Sequence, residues 1–188
     1  MKSLLKNSIW SFLGVLTLSL FVSGYGAFAS EPSNLDEENN SNLTKIDTSN
    51  IDPDTELYLD LTRLENILVF FNDQYYSVKE NKLVKESNLP IIKPFAVSSH
   101  KFTLANGQTG TVKKTLYKGT SASWTSYGPK ERRRMAIVDD VNGATLGSLT
   151  SNSYGVGVTA SAKWTGAHRF QITNYSATKQ TWNCEIIF

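Results

Sequence analysis

One cysteine, two histidines, two methionines and five prolines among 188 residues set the first limits on this chain. With Cys184 alone, no intramolecular disulfide can form, so packing or assembly must hold the fold. His100 and His168 leave little for a metal centre, which would need both of them plus carboxylates such as Asp139 or Asp140. The chain has no G-x-S-x-G, no H-E-x-x-H and no glycine loop fit to cradle a phosphate, so neither a cofactor nor a metal is expected. Asp139-Asp140 beside a turn is most simply turn chemistry. The residue types allow one nucleophilic set: a Cys184 thiolate activated by His168 and Asp140, with Arg169 holding an oxyanion. Against it, Cys184 falls in the alternating run Trp182 to Phe188, where a small buried residue is expected. Contact with a second chain through Cys184 is the other expectation, and a secreted hydrolase is the weakest functional alternative.

Long apolar runs are also missing, apart from one at the start. Lys2 and Lys6 precede the apolar stretch Ile9 to Val22, and Ala27-Phe28-Ala29 supplies a small-x-small cleavage site. Ser8, Ser11, Thr17 and Ser19 interrupt the stretch, which falls short of the ~20 residues of a membrane span. Residues 1–29 therefore read as a signal peptide, and the mature protein is expected to be released to the outside of a bacterial cell.

What is present is a division of charge. Residues 31–95 hold six Lys/Arg against thirteen Asp/Glu, a net of −7, while residues 96–188 hold eleven against four, a net of +7. Such asymmetry implies either a cationic surface for an anionic partner or two halves that complement each other. Residues 30–50 are polar and acidic with few large apolar groups, and read as a flexible leader. For residues 51–94 an acidic helix and a short hairpin are expected. Asp52-Pro53 is a good helix start, and Leu57, Leu61, Leu64, Leu68 and Phe71 recur at spacings of three and four, which traces one helical face. Tyr75 to Val78 and Leu83-Val84 form the hairpin. Pro90 and Pro94 then mark a boundary.

Residues 95–188 change character. Short runs of Thr, Ser, Val and aromatics alternate with turn dipeptides at Asn106-Gly107, Gly128-Pro129 and Asn142-Gly143. The pattern predicts strands near 101–104, 111–117, 121–126, 133–139, 144–149, 155–160, 168–174 and 179–188. The expected fold is mainly β, a C-terminal antiparallel jelly-roll-like sandwich preceded by the acidic helical region. The stretch Gly166-Ala167-His168-Arg169-Phe170-Gln171-Ile172-Thr173-Asn174-Tyr175-Ser176 resembles the G-x-x-x-F-x-I-x-N-x-S ending of small exported bacterial β-sandwich modules of the pre-peptidase C-terminal type. That resemblance implies an accessory role, binding extracellular polymers.

The cationic residues concentrate in Lys130-Glu131-Arg132-Arg133-Arg134, with Lys113 and Lys114 elsewhere in the domain. Nearby Trp124 and Tyr127 offer stacking surfaces for sugars or bases. In a strand, Arg132 and Arg134 share one face and Arg133 takes the other, so a solvated face that blocks edge pairing competes with a binding site. The expected partner is an anionic envelope polymer, glycan or membrane surface, and no specific nucleic acid. Two functions follow. In the first, a non-catalytic module attaches through its basic sandwich. In the second, a bacteriocin-like, membrane-active effector is made as a pro-form whose acidic region is removed near Lys85 to Lys93.

Overall fold

The computed structural model describes residues 29–30, 42–87 and 96–188. The signal segment up to residue 28, residues 31–41 of the expected leader and the proline-marked boundary at 88–95 lie outside the described residues.

The described chain is built from strands: β1 (Ala29–Ser30), β2 (Thr44–Ile46), β3 (Glu56–Leu59), β4 (Leu64–Phe71), β5 (Gln74–Lys79), β6 (Lys82–Lys85), β7 (Val97–Leu104), β8 (Thr109–Leu116), β9 (Ser121–Tyr127), β10 (Arg133–Asp139), β11 (Thr145–Ser151), β12 (Gly155–Ala162), β13 (Gly166–Asn174) and β14 (Gln180–Ile187). They form two seven-stranded antiparallel sheets. The first has the order β1-β8-β13-β10-β11-β3-β2, the second β6-β5-β4-β12-β9-β14-β7. From β7 onward the chain changes sheet at every connection except the β10–β11 hairpin. That hairpin turns at Asn142-Gly143, where Gly143 takes a φ of 74° and donates to the Asp139 carbonyl at 3.0 Å.

The expected helix over residues 51–71 is replaced by β3, a turn and β4. Asp60 makes the break. Its carboxylate accepts from the Thr62 amide at 3.0 Å and the Arg63 amide at 3.2 Å, bending the chain after β3. Past the bend, Ile67-Leu68-Val69-Phe70-Phe71 is β-branched and aromatic, a composition that favours a pleated surface. Asp52, expected to cap a helix, instead caps a turn: its carboxylate accepts from the Asp54 amide at 2.9 Å and from the Thr55 hydroxyl at 3.1 Å. Order also begins earlier than expected. Thr44–Ile46 pairs with β3, so at least this part of residues 30–50 is a strand rather than a flexible leader. The β5–β6 hairpin forms as expected, with a turn of left-handed residues at Glu80 and Asn81.

The acidic region is woven into both sheets. β3 pairs with β11 in the first, β4 with β12 in the second. At that side of the molecule the two sheets are tied together, because the Asp47 amide donates to the Asn81 carbonyl at 2.8 Å and the Asn50 side chain to the Leu83 carbonyl at 2.9 Å. One core lies between the sheets. Ile46, Leu57, Leu59, Leu64, Val69, Phe71 and Leu83 enter it beside Trp124, Phe170, Ile172, Trp182 and Ile186. Burying seven large apolar side chains contributes on the order of 10 kcal/mol before entropy is counted, comparable with the whole net stability of a domain.

Candidate functional site: the basic outer face of the first sheet

Strand parity separates the three consecutive arginines of β10. Arg133 points inward and is fully buried. Its Nε donates to Ser126 Oγ at 2.9 Å, its Nη1 to the Ser153 carbonyl at 2.8 Å, and its Nη2 to the carbonyls of Ser126 and Tyr154, both at 3.1 Å. The guanidinium also sits 5.8 Å from the Trp182 ring centroid. Burial draws its pKa down to about 10, and no carboxylate offsets this. Arg133 is therefore a structural tie between β10, the end of β9 and the loop before β12. The expectation that it is a surface cation is corrected.

Arg132 and Arg134 face outward. Arg132 forms an ion pair with Glu56 Oε1 at 3.0 Å and donates to the Asp54 carbonyl at 3.3 Å, so the acidic region neutralises it. Arg134 is half-buried, with Thr150 and Thr173 as its cross-strand neighbours. Burial lowers its pKa, and the only charge acting in the other direction is Tyr175. No carboxylate among the described residues compensates it. Further along the same face, Lys113 and Arg169 are cross-strand partners and share Asp140, at 3.0 and 3.1 Å. Arg134 thus lies on a Thr- and Gln-lined surface between a neutralised arginine at one end and a shared Lys/Arg pair at the other.

The remaining expected site residues scatter. Lys130 is exposed in the loop between β9 and β10. Lys114 alternates to the other face of β8 from Lys113 and places Nζ 4.8 Å from the Phe188 ring centroid. Trp124 is core, with its indole N–H donating across to the Gln171 carbonyl at 3.1 Å, so it offers no stacking surface. Tyr127 is half-buried on the outer face of the second sheet, on the opposite side of the sandwich from the outward-facing Arg134. Alternation revealed the odd-and-even split of Arg132, Arg133 and Arg134. Glu56 as a partner of Arg132 had no local signal, being 76 residues away.

The nucleophilic set is not assembled. Cys184 is fully buried beside Ser126 and Arg133, and burial pushes its thiol up to about 12. His168 lies opposite Asp139, at the other end of β10 from Arg133, about 20 Å along the strand. Its Nδ1 is 2.8 Å from the Gly166 carbonyl, its Nε2 has no partner, and burial lowers its pKa. Around it Arg63 bridges Asp60 and Asp139 at 3.7 and 3.5 Å and lies over Trp164. These ion pairs close the end of the sandwich. Among the described residues, no three His, Cys, Asp or Glu side chains come together as a metal site. Contact with another chain through Cys184 would require opening the core.

The fold and this surface define a two-sheet antiparallel β-sandwich with a basic face. Comparison with models of known protein families, with curated proteins and with solved structures finds no match for the chain.

Proposed function

We propose that the protein is a secreted, non-catalytic binding protein whose β-sandwich attaches to an anionic extracellular surface, a cell-envelope polymer or glycan, through the outer face of the first sheet. Arg134 carries this reading. Burial disfavours the charge of this half-buried guanidinium, no carboxylate among the described residues compensates it, and an incoming oxyanion supplies that compensation. Thr150 and Thr173 beside it offer hydroxyls, and the Lys113–Arg169 pair extends the positive field. The resemblance of Gly166 to Ser176 to exported polymer-binding modules points the same way. The membrane-active alternative requires removal of an acidic region that contributes β2 to β6 and seven core side chains, which favours the intact chain as the working form.

Binding of the full chain to immobilised polyphosphate across a salt series tests the reading. Replacing Arg134 with Ser is expected to weaken binding about tenfold and to lower the salt slope by about one unit. Unchanged affinity and slope would remove this face as the site.

A further inference from the structure

A second surface lies on the other sheet from Arg134 and does not depend on it. On the outer face of the second sheet, Phe70 of β4 packs 5.1 Å from Tyr75 of β5 and 5.8 Å from Tyr127 of β9, and Tyr127 lies 6.3 Å from Tyr154. Phe70 is buried, but it alternates with the core residues Val69 and Phe71 and so belongs to the opposite face. Tyr75 and Tyr127 are half-buried, and Tyr154 is 55% exposed. Gly155, the cross-strand partner of Tyr127, lets the Phe70 and Tyr127 rings close over the strand. A Cβ there would come within 3.2 Å of both the Phe70 and the Tyr127 rings.

The cluster is held rigidly from beneath. The buried Arg133 donates to the Tyr154 carbonyl and to Ser126 next to Tyr127, and the Gly128 amide adds a bond to the Tyr154 carbonyl at 3.1 Å. On the other side the Asn72 amide donates to the Gly155 carbonyl at 2.9 Å. Three connections therefore meet at one end of the sheet: the β4–β5 turn, the loop after β9 and the loop before β12. Their rim carries both signs, Asp73 in the β4–β5 turn and Glu185 on β14 against Lys130 in the loop after β9 and Lys101, the cross-strand partner of Asn183. Burial first, then Tyr75, Glu185 and Asp73, holds the Tyr127 phenol above its ordinary pKa, and Asn183 is the strand neighbour of Tyr127.

We propose that this aromatic layer is a binding platform for neutral pyranose rings of an extracellular polysaccharide. The rings of Tyr127 and Tyr154 meet the C–H face of a sugar. Asp73 and Glu185 accept from hydroxyls, while the neutral phenols and the Asn183 amide donate to ring and hydroxyl oxygens. A rim of mixed sign gives an anionic polymer no net attraction, and a bare apolar partner would strand its carboxylates and amides. Pre-organisation by Arg133 lowers the ordering cost that makes most sugar contacts weak.

Calorimetric titration of the full chain with the neutral hexasaccharides cellohexaose, chitohexaose and mannohexaose tests the proposal. At least one is expected to bind with a millimolar or tighter dissociation constant. Replacing the exposed Tyr154 with Ala should weaken it about tenfold, and Gly155→Ala should weaken it as well by displacing the rings. The Arg134→Ser variant should bind the sugar as the parent does, which separates this site from the anionic face. Unchanged melting temperature in Tyr154→Ala guards against unfolding. Failure of all three sugars to bind at millimolar concentration, or binding that survives both substitutions, overturns the platform. Loss of polyphosphate binding in Tyr154→Ala without any sugar binding would assign the patch to the anionic partner instead.

Discussion

Residues 42–87 and residues 96–188 have opposite charge and different sequence character, yet they build the same two sheets. The first supplies β2 to β6 and the second β7 to β14, with β3 joined to β11 and β4 to β12 across the division. Charge asymmetry along the chain therefore marks complementary surfaces rather than separable domains. Arg132 paired with Glu56 is one place where the two regions meet as opposite ions, and Arg63 bridging to Asp139 is another. Leu57, Leu59 and Val69 meeting the later strands in one core ties the regions more tightly than the Arg132–Glu56 pair does, since an exposed ion pair is worth about 0–1 kcal/mol.

The comparison breaks most severely if the later region is made alone. A chain of residues 96–188 is expected to show no cooperative thermal transition and to bind a hydrophobic dye, because the β11 and β12 edges and the lower core lose their cover. A sharp transition by circular dichroism would establish that the basic region is a domain after all. The next contrast lies within β10. Replacing Arg133 with Met strands the Ser126 hydroxyl and the Ser153 carbonyl in the interior, and should cost about 2–4 kcal/mol in urea unfolding. The same substitution at Arg134 should change stability by less than about 0.5 kcal/mol while weakening binding to polyphosphate. Equal costs at the two positions would refute the division into a structural and a binding arginine. The last contrast concerns Cys184 and appears only at alkaline pH. Its thiol is raised from an ordinary 9.0 to about 12 in the folded chain, so its contribution is complete below pH 9 and is lost as pH rises toward 12. Stability should fall on the order of 1 kcal/mol per unit above pH 9, and Cys184→Ala should remove that component of the slope.

The eight strands of the basic region were readable because alternation and glycine turns agree there. Asn142-Gly143 and the run Met135 to Val138 give one hairpin on two independent signals. The acidic region misled because two short strands around a four-residue bend reproduce helical spacing. Leu57 and Leu64 are buried on the inner side of different strands, while Leu61 sits in the bend between them. The turns at Asn72-Asp73 and Glu80-Asn81 take left-handed backbone without glycine, which leaves a weaker mark in sequence. At the candidate site, parity was legible and direction was not. A charged side chain ordinarily faces water, and Arg133 turns inward only because carbonyls about 20 residues further along the chain are brought to it. Trp124 and Tyr127 are three residues apart and fall on opposite faces of β9, so sequence neighbourhood gave a false grouping.

The strand order also dictates when this chain can fold. β3 and β4 are synthesised long before β11 and β12, and β7 and β9 both await β14, whose last residue is Ile187. Pairings of such long range form late and slowly, on a timescale of roughly milliseconds to seconds. The emerging polypeptide consequently holds β7 without a partner and β9 with one edge open until β14 has been made.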